Sequence, residues 1–290
     1  MKKSAFCVMM CLVVCLLLTS GKRDVITIFM IGDSTMANKP TTGKHADNQE
    51  RGWGQMLQQY FDSTKVVVDN HALNGRSSKS FINEGHWATV LQRIKPGDYV
   101  IIQFGHNDEK PKEDRHTDPG TTFDDNLRRF ITETREKGGV PVLMNSIIRR
   151  KFEVDPNAVV ADDMLLNADG SEMAKKQHCC QTDTLVDTHG LYVVTPRYVA
   201  SEMECLFVDA TVITHDYIQP LGPEKSKELF CWLPAGKYQT APNGRKDDTH
   251  LNIYGGSIIA GLLSKELVKQ DKTLRKAYLK NVLKVYGLEY

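Results

Sequence analysis

Apolar residues along this chain fall into two kinds of run. Four are short, continuous and rich in β-branched residues: Val25 to Ile31, Val66 to Val68, Tyr99 to Phe104 and Val140 to Met144. Such runs, without polar alternation, predict strands buried on both faces. Others recur at three and four residues. Phe123, Leu127, Phe130 and Ile131 predict a helix from Phe123 to Lys137 closed by Gly138-Gly139, and Ile258, Ile259, Leu262, Leu263 and Leu267 predict another from Tyr254 to Lys269. Further helical stretches are expected at Met56 to Phe61, Trp87 to Ile94, Tyr198 to Glu204 and from about Thr211 to Leu221-Gly222-Pro223, with a short fifth strand at Cys205 to Val208. The basic, amphipathic tail from Leu274 to Tyr290 predicts a last helix on the surface. Strand, polar Gly-containing loop and helix alternate, so the fold class is α/β, with a parallel sheet covered by helices on both faces. From Glu153 to about Thr184 the chain turns polar and aperiodic, which reads as a surface insertion in a single domain.

Polar blocks follow the first three strands: Gly32-Asp33-Ser34-Thr35, Leu73-Asn74-Gly75-Arg76-Ser77-Ser78 and Gly105-His106-Asn107-Asp108. In open α/β sheets the crevice beyond the strand carboxyl ends is where ligands bind, so these blocks share one rim. Ser34 is a candidate nucleophile there, although Asp and Ser after a strand are also ordinary turn and cap residues. A nucleophilic serine needs a base within hydrogen-bond reach. Of nine histidines, His250 stands out because Asp247 precedes it by three residues, a spacing that in a turn lets the carboxylate accept the Nδ1 proton and leaves Nε2 facing the serine. An isolated Asp-x-x-His is also compatible with a plain surface loop. Asp248 is a competitor pointing the other way along an extended segment, and Asp187 with His189 forms a pair that is either structural or in contact with substrate. An oxyanion hole needs convergent donors: Ser34 N–H at a helix start, Gly75 N–H unobstructed by a side chain, and the Asn107 amide. Trp53 reads as core rather than as a sugar platform.

Composition narrows the class. The chain has 290 residues, 41% hydrophobic and 25% charged, enough for a sizeable core. Lys2 and Lys3 precede an apolar stretch from Ala5 to Leu18 followed by Thr19-Ser20-Gly21, so residues 1–21 read as a secretory signal and the protein is expected to be exported, to a periplasm or beyond the cell. The formal net charge of +1 becomes about −1 once Lys2 and Lys3 are removed, and no long basic run is present, which argues against nucleic acid or an anionic membrane as partner. Cys179, Cys180, Cys205 and Cys231 remain after the signal, with pairing undetermined by sequence. The serine lacks a Gly-x-Ser-x-Gly elbow, and neither His-Glu-x-x-His nor Cys-x-x-Cys occurs, which leaves acyl transfer with no metal or other cofactor as the expected chemistry.

Taken together, Gly-Asp-Ser-Thr, Leu-Asn-Gly-Arg-Ser-Ser, Phe-Gly-His-Asn-Asp and Asp-Asp-Thr-His resemble the four blocks of the SGNH (GDSL-like) hydrolase superfamily. Arg51-Gly52-Trp53-Gly54, Arg149-Arg150-Lys151-Phe152, Asp187-Thr188-His189-Gly190 and Leu221-Gly222-Pro223-Glu224 bring the resemblance closer to its rhamnogalacturonan acetylesterases, from about Thr27 to Lys269. The resemblance implies a flavodoxin-like, three-layer α/β/α sandwich around a five-stranded parallel sheet. It also implies Ser34 as nucleophile, Gly75 and Asn107 completing the oxyanion hole with Ser34, Asp247 orienting His250, and His250 as base. The implied substrate is an acetylated polysaccharide, most closely acetylated rhamnogalacturonan, with acetylxylan, a lipid or a thioester as alternatives. An inactive glycan-binding module is the alternative of another class. Arg76 and Arg149 or Arg150 are candidates for pairing with galacturonate carboxylates, or are solvated surface arginines. The insertion from Glu153 to Thr184 is longer than that pattern calls for.

Overall fold

The structure of the chain, a computed structural model, describes residues 25–157 and 180–290. The expected leader, Cys179 and the middle of the insertion lie outside them. Among the described residues nine strands follow in order: β1 (Ile26–Gly32), β2 (Val66–Asn70), β3 (Tyr99–Gln103), β4 (Val140–Met144), β5 (Phe152–Val154), β6 (Gln181–Leu185), β7 (Leu206–Val208), β8 (Phe230–Leu233) and β9 (Arg245–Leu251). The principal helices are α1 (Ser78–Asn83), α2 (His86–Leu91), α3 (Thr122–Glu136), α4 (Leu191–Glu202), α5 (Ala210–Ile218) and α6 (Ile253–Gln270).

The central sheet has the order β2-β1-β3-β4-β7 and is parallel throughout. Successive residues of a strand face opposite sides, and here both sides are buried. Ile28 and Met30 of β1 join Tyr99 and Ile101 of β3 and Val142 and Met144 of β4 in one core, against the 3₁₀ helix Trp53–Tyr60 and α6. Phe29 and Ile31 join Val100, Ile102 and Leu143 in the other, with Trp87 of α2, Phe123, Leu127 and Phe130 of α3 and Val199 of α4. Continuous apolar runs are what two covered faces require, and the three-layer α/β/α arrangement is the result. Because the chain leaves β1 to form β2 on one side and returns to form β3 on the other, a crevice opens beyond the carboxyl ends of β1 and β3.

Four elements differ from expectation. Helix α1, unrecognised in the sequence, is short and starts on a reciprocal cap: Ser77 accepts from Ser80 N at 3.1 Å and Ser80 Oγ accepts from Ser77 N at 2.9 Å. The ends of the insertion are an antiparallel ribbon of β5 and β6 rather than irregular chain. The segment carrying Asp247 and His250 is strand β9, paired with β8, rather than loop. The tail is not one surface helix. It breaks into Lys272–Arg275 and Lys280–Val285 because Tyr278 bridges to Phe61 between them, with Asp62 N donating to Ala277 O and Leu279 N to Tyr60 O at 2.9 Å each. Leu274, Tyr278, Leu283 and Leu288 are buried against Tyr60 and Phe61, so this basic segment closes the core.

Candidate active site

Strand β1 ends in a single turn rather than a helix: Met36 N and Ala37 N donate to Asp33 O at 3.2 and 3.0 Å. Asp33 is fully buried, and its Oδ1 accepts from Thr35 N at 2.9 Å and Thr35 Oγ1 at 2.8 Å, so the turn that presents Ser34 is locked by its neighbours. Burial pushes the Asp33 carboxyl up despite those bonds.

His250 reaches Ser34 from β9. Trp232 pairs with Lys246 and Phe230 with Leu251, so residues 247–250 oppose Cys231 alone and bulge out of the ladder. Inside that bulge Asp247 Oδ1 accepts from Thr249 N at 2.8 Å and His250 N at 2.9 Å, forming a tight local turn. The turn brings His250 Nδ1 to 2.8 Å from Asp247 Oδ2, and His250 Nε2 lies 2.9 Å from Ser34 Oγ. Regular strand geometry would have sent residues three apart to opposite faces; the bulge makes the Asp-x-x-His spacing work. Burial raises the Asp247 carboxyl, but the hydrogen bond and charge of His250 and the two amide donors outweigh it and hold the group well below the usual carboxylate range. Asp248 points the other way, accepting from Arg150 Nη1 at 2.6 Å and Trp232 Nε1 at 2.8 Å.

Gly75 and Asn107 stand beside this triad. Leu73 N donates to Gly32 O at 3.0 Å, which ties the β2 loop to the end of β1, and Asn107 Nδ2 donates to Arg76 O at 3.1 Å, which ties the β3 loop to the residue after Gly75. An amide nitrogen carries two hydrogens, so Asn107 keeps a second donor. Gly75 has φ +73°, a left-handed conformation in which a side chain is strained. Asp108 supports both loops: it accepts from Ser78 N at 3.0 Å, Ser78 Oγ at 2.5 Å, Thr117 Oγ1 at 3.0 Å and Gly105 N at 3.1 Å.

The three candidate arginines have different fates. Arg150 is 0% exposed; its guanidinium bonds Asp248, Ser226 Oγ, Gln181 Oε1 and Pro223 O and packs over Phe152 and Trp232. With every face covered it has no route to a ligand, and the expectation that it binds substrate is corrected: it holds β9, the β5–β6 ribbon and residues 222–226 together. Arg149, its chain neighbour, turns outward to Glu109 at 2.5 Å and Thr188 Oγ1 at 3.0 Å. Arg76 pairs with Glu84 at 2.8 Å. The Asp187–His189 pair serves structure on one side, since Asp187 accepts from His189 N and Gly190 N at 2.9 Å each, while His189 Nδ1 lies 2.8 Å from Glu109 Oε2. Trp53 is buried in the core with Nε1 on Gln103 Oε1 at 2.9 Å. The thiols of Cys205 and Cys231 donate to Pro141 O and Leu251 O at 3.3 Å each.

One group of residues was not foreseen. Arg245 donates through Nη2 to Asp247 and through Nη1 to Glu50 at 2.5 Å; Glu50 pairs with Lys39 at 2.8 Å, and Lys39 donates to Asn74 Oδ1 at 2.5 Å. Arg245 and Glu50 lie 195 positions apart, so the link between the two halves of the group carries no spacing signal.

The profile of the GDSL-like lipase/acylhydrolase family matches residues 30–224, which include Ser34, Gly75 and Asn107. Rhamnogalacturonan acetylesterase RhgT of Bacillus subtilis (strain 168) is 33% identical over 242 residues, 83% of this chain and 89% of that protein. The probable rhamnogalacturonan acetylesterase YesY of the same organism is 39% identical over 254 residues, 87% and 97% of the two chains. The crystal structure of YxiM from Bacillus subtilis superposes with a TM-score of 0.61 at 25% identity, covering 85% of this chain and 57% of that one. The chain therefore belongs to the GDSL-like lipase/acylhydrolase family of the SGNH superfamily, close to the rhamnogalacturonan acetylesterases, and is a carboxylic ester hydrolase.

Proposed function

We propose that the chain removes acetyl groups from acetylated rhamnogalacturonan, a pectic polysaccharide, through an acetyl enzyme on Ser34. The observation that carries this reading is the hydrogen-bonded series Ser34 Oγ, His250 Nε2, His250 Nδ1 and Asp247 Oδ2 at the crevice of the sheet, in a chain whose relatives bear that enzyme's name. Ser34 Oγ attacks the acetyl carbonyl carbon as His250 Nε2 takes its proton. The oxyanion is held by the Ser34 and Gly75 N–H groups and the free Asn107 amide hydrogen. Collapse breaks the bond to the sugar oxygen, which leaves with the proton from His250. Water then attacks the acetyl group, His250 takes its proton, and Ser34 Oγ departs with that proton as acetic acid is released. Export belongs to the same reading, supported by Lys2-Lys3 and the apolar stretch from Ala5 to Leu18, since a polymer substrate lies outside the cell.

Acetate release from acetylated rhamnogalacturonan, acetylated xylan and an aryl acetate, with Ser34→Ala in parallel, tests the proposal. Preference for the pectic polymer and a loss of at least about 10⁴-fold in the variant are expected. Activity on the aryl acetate alone would keep the triad and discard the polymer; equal rates for the two proteins would remove Ser34 from its role.

A further inference from the structure

Four arginines near the crevice are held by a carboxylate at hydrogen-bond distance: Arg76 by Glu84, Arg149 by Glu109, Arg150 by Asp248 and Arg245 by Glu50. Arg115 is different. Its nearest carboxylate among the described residues is its neighbour Asp114, whose Oδ2 lies 3.9 Å from Nε, and the Arg115 side chain is 28% exposed. That guanidinium is directed at the site: a methyl group on Gly75 would meet Nη1 at 3.5 Å and Cζ and Nη2 at 3.7 Å. Because Gly75 has no side chain, nothing stands between its backbone and the part-exposed guanidinium beside this candidate oxyanion donor.

The position of Arg115 is fixed by the same residues that hold the oxyanion loops. Arg115 N and His116 N donate to Lys112 O at 2.9 and 2.8 Å, and the following residue is tied back by Thr117 N to Asp108 O at 3.2 Å and Thr117 Oγ1 to Asp108 Oδ1 at 3.0 Å. Tyr192 OH clamps Thr117 O at 2.5 Å. Thus the loop that follows Asn107 folds back and delivers a cation beside Gly75. A planar guanidinium with no tight partner presents paired N–H donors that match a carboxylate bidentately.

We propose that Arg115 binds the carboxylate of an acidic sugar, a uronic acid unit at or near the acetylated position, and so selects acidic over neutral polysaccharide. This rests on the pectic reading of the site. Arg115 takes over the part for which Arg76 and Arg149 or Arg150 were candidates, all three of which are paired with carboxylates.

The test compares kcat/KM of the wild type, Arg115→Gln and Arg115→Lys on acetylated rhamnogalacturonan oligosaccharides and on the same oligosaccharides with their uronate carboxyls reduced to alcohols. The ratio of acidic to reduced substrate is expected to fall roughly 10- to 100-fold in Arg115→Gln, through KM, with partial recovery in Arg115→Lys. An unchanged ratio, including one that hides an equal loss on both substrates, overturns the proposal. Competition by free galacturonate against aryl acetate hydrolysis separates this inference from the polymer assignment. If the wild type ignores rhamnogalacturonan yet galacturonate competes and Arg115→Gln relieves the competition, the subsite stands while the pectic reading falls. If galacturonate does not compete in the wild type, the subsite falls.

Discussion

Asp108 offers a sharp test of whether burial or hydrogen bonding governs the support of the loops that carry Gly75 and Asn107. The carboxyl is completely buried, and burial pushes it up to about 6 from an ordinary 3.8, with the charge of Asp33 adding to the rise and the bonds from Ser78 and Thr117 opposing it. A folded-state value above the unfolded one means that the native protein holds this proton more tightly. The resulting stability is fully present below pH ~4 and is lost as the pH rises through about 6. A rise of that size corresponds to about 3 kcal/mol, with no discount for solvent because the group is inaccessible. Asp108→Asn cannot titrate. It sets an amide N–H against the Gly105 and Ser78 N–H donors that now meet Oδ2 at 3.1 and 3.2 Å, at a cost of about 1–3 kcal/mol. Urea unfolding of both proteins at pH 4, 5, 6 and 7, followed by tryptophan fluorescence, gives the difference in unfolding free energy, in which the other carboxyls largely cancel. That difference is expected to shrink by about 2 kcal/mol from pH 4 to pH 7. A difference that widens with pH would refute the reasoning, because the four donors would then outweigh burial and Asp108 would be an acidic rather than a basic carboxyl.

Two further outcomes are expected. Asn107→Ala removes the amide donor and should lower kcat on an aryl acetate by about 10²- to 10³-fold with little change in KM, as steady-state kinetics will read; a loss confined to KM would assign Asn107 to substrate binding instead. Arg150→Met removes the buried cation beside Asp248 and should destabilise the fold by roughly 3–5 kcal/mol in urea unfolding, whereas a loss below about 1 kcal/mol would mean that the remaining partners of Asp248, Trp232 among them, satisfy it.

Legibility followed the range of the forces involved. β1, β3 and β4 were readable because a strand buried on both faces has to be apolar at every position, a property of one short segment. The candidates Ser34, Gly75, Asn107 and His250 stand out in the sequence because each sits in a polar block right after a strand or on a compact motif. Strand β9 was not: Asp247, Asp248, Thr249 and His250 are all polar, and their bulge is set by pairing with Phe230 and Trp232 some twenty residues earlier. Nothing local tells Arg149 from Arg150, two identical side chains whose opposite fates depend on Asp248, almost a hundred positions away. The tail looked like a surface helix because its burial partners, Tyr60 and Phe61, come from the other end of the chain. Arg115 was hidden for the same reason, since its meaning comes from Gly75 across the crevice.

The unforeseen ionic series gives the site a feature that the triad alone would lack. Lys39, Glu50, Arg245 and Asp247 alternate in sign, begin at Asn74 beside Gly75 and end at His250. Their formal charges sum to zero, so the series contributes little net field at Ser34; its effect is registry. Buried ion pairs are weak sources of net stability, but a set of them fixes relative position, because displacing one member strands the charge of the next. The series thus links the residues after β1, the β2 loop and the bulge of β9, and with them the candidate nucleophile, oxyanion donor and base. Arg245 has a second consequence. By donating to the same carboxylate that receives His250 Nδ1, it helps to keep Asp247 ionised. In the proposed mechanism His250 gains a proton from Ser34 while facing a carboxylate held far below its usual range. The imidazolium is stabilised in place by that fixed charge, and the proton remains on the histidine, available for the departing sugar oxygen.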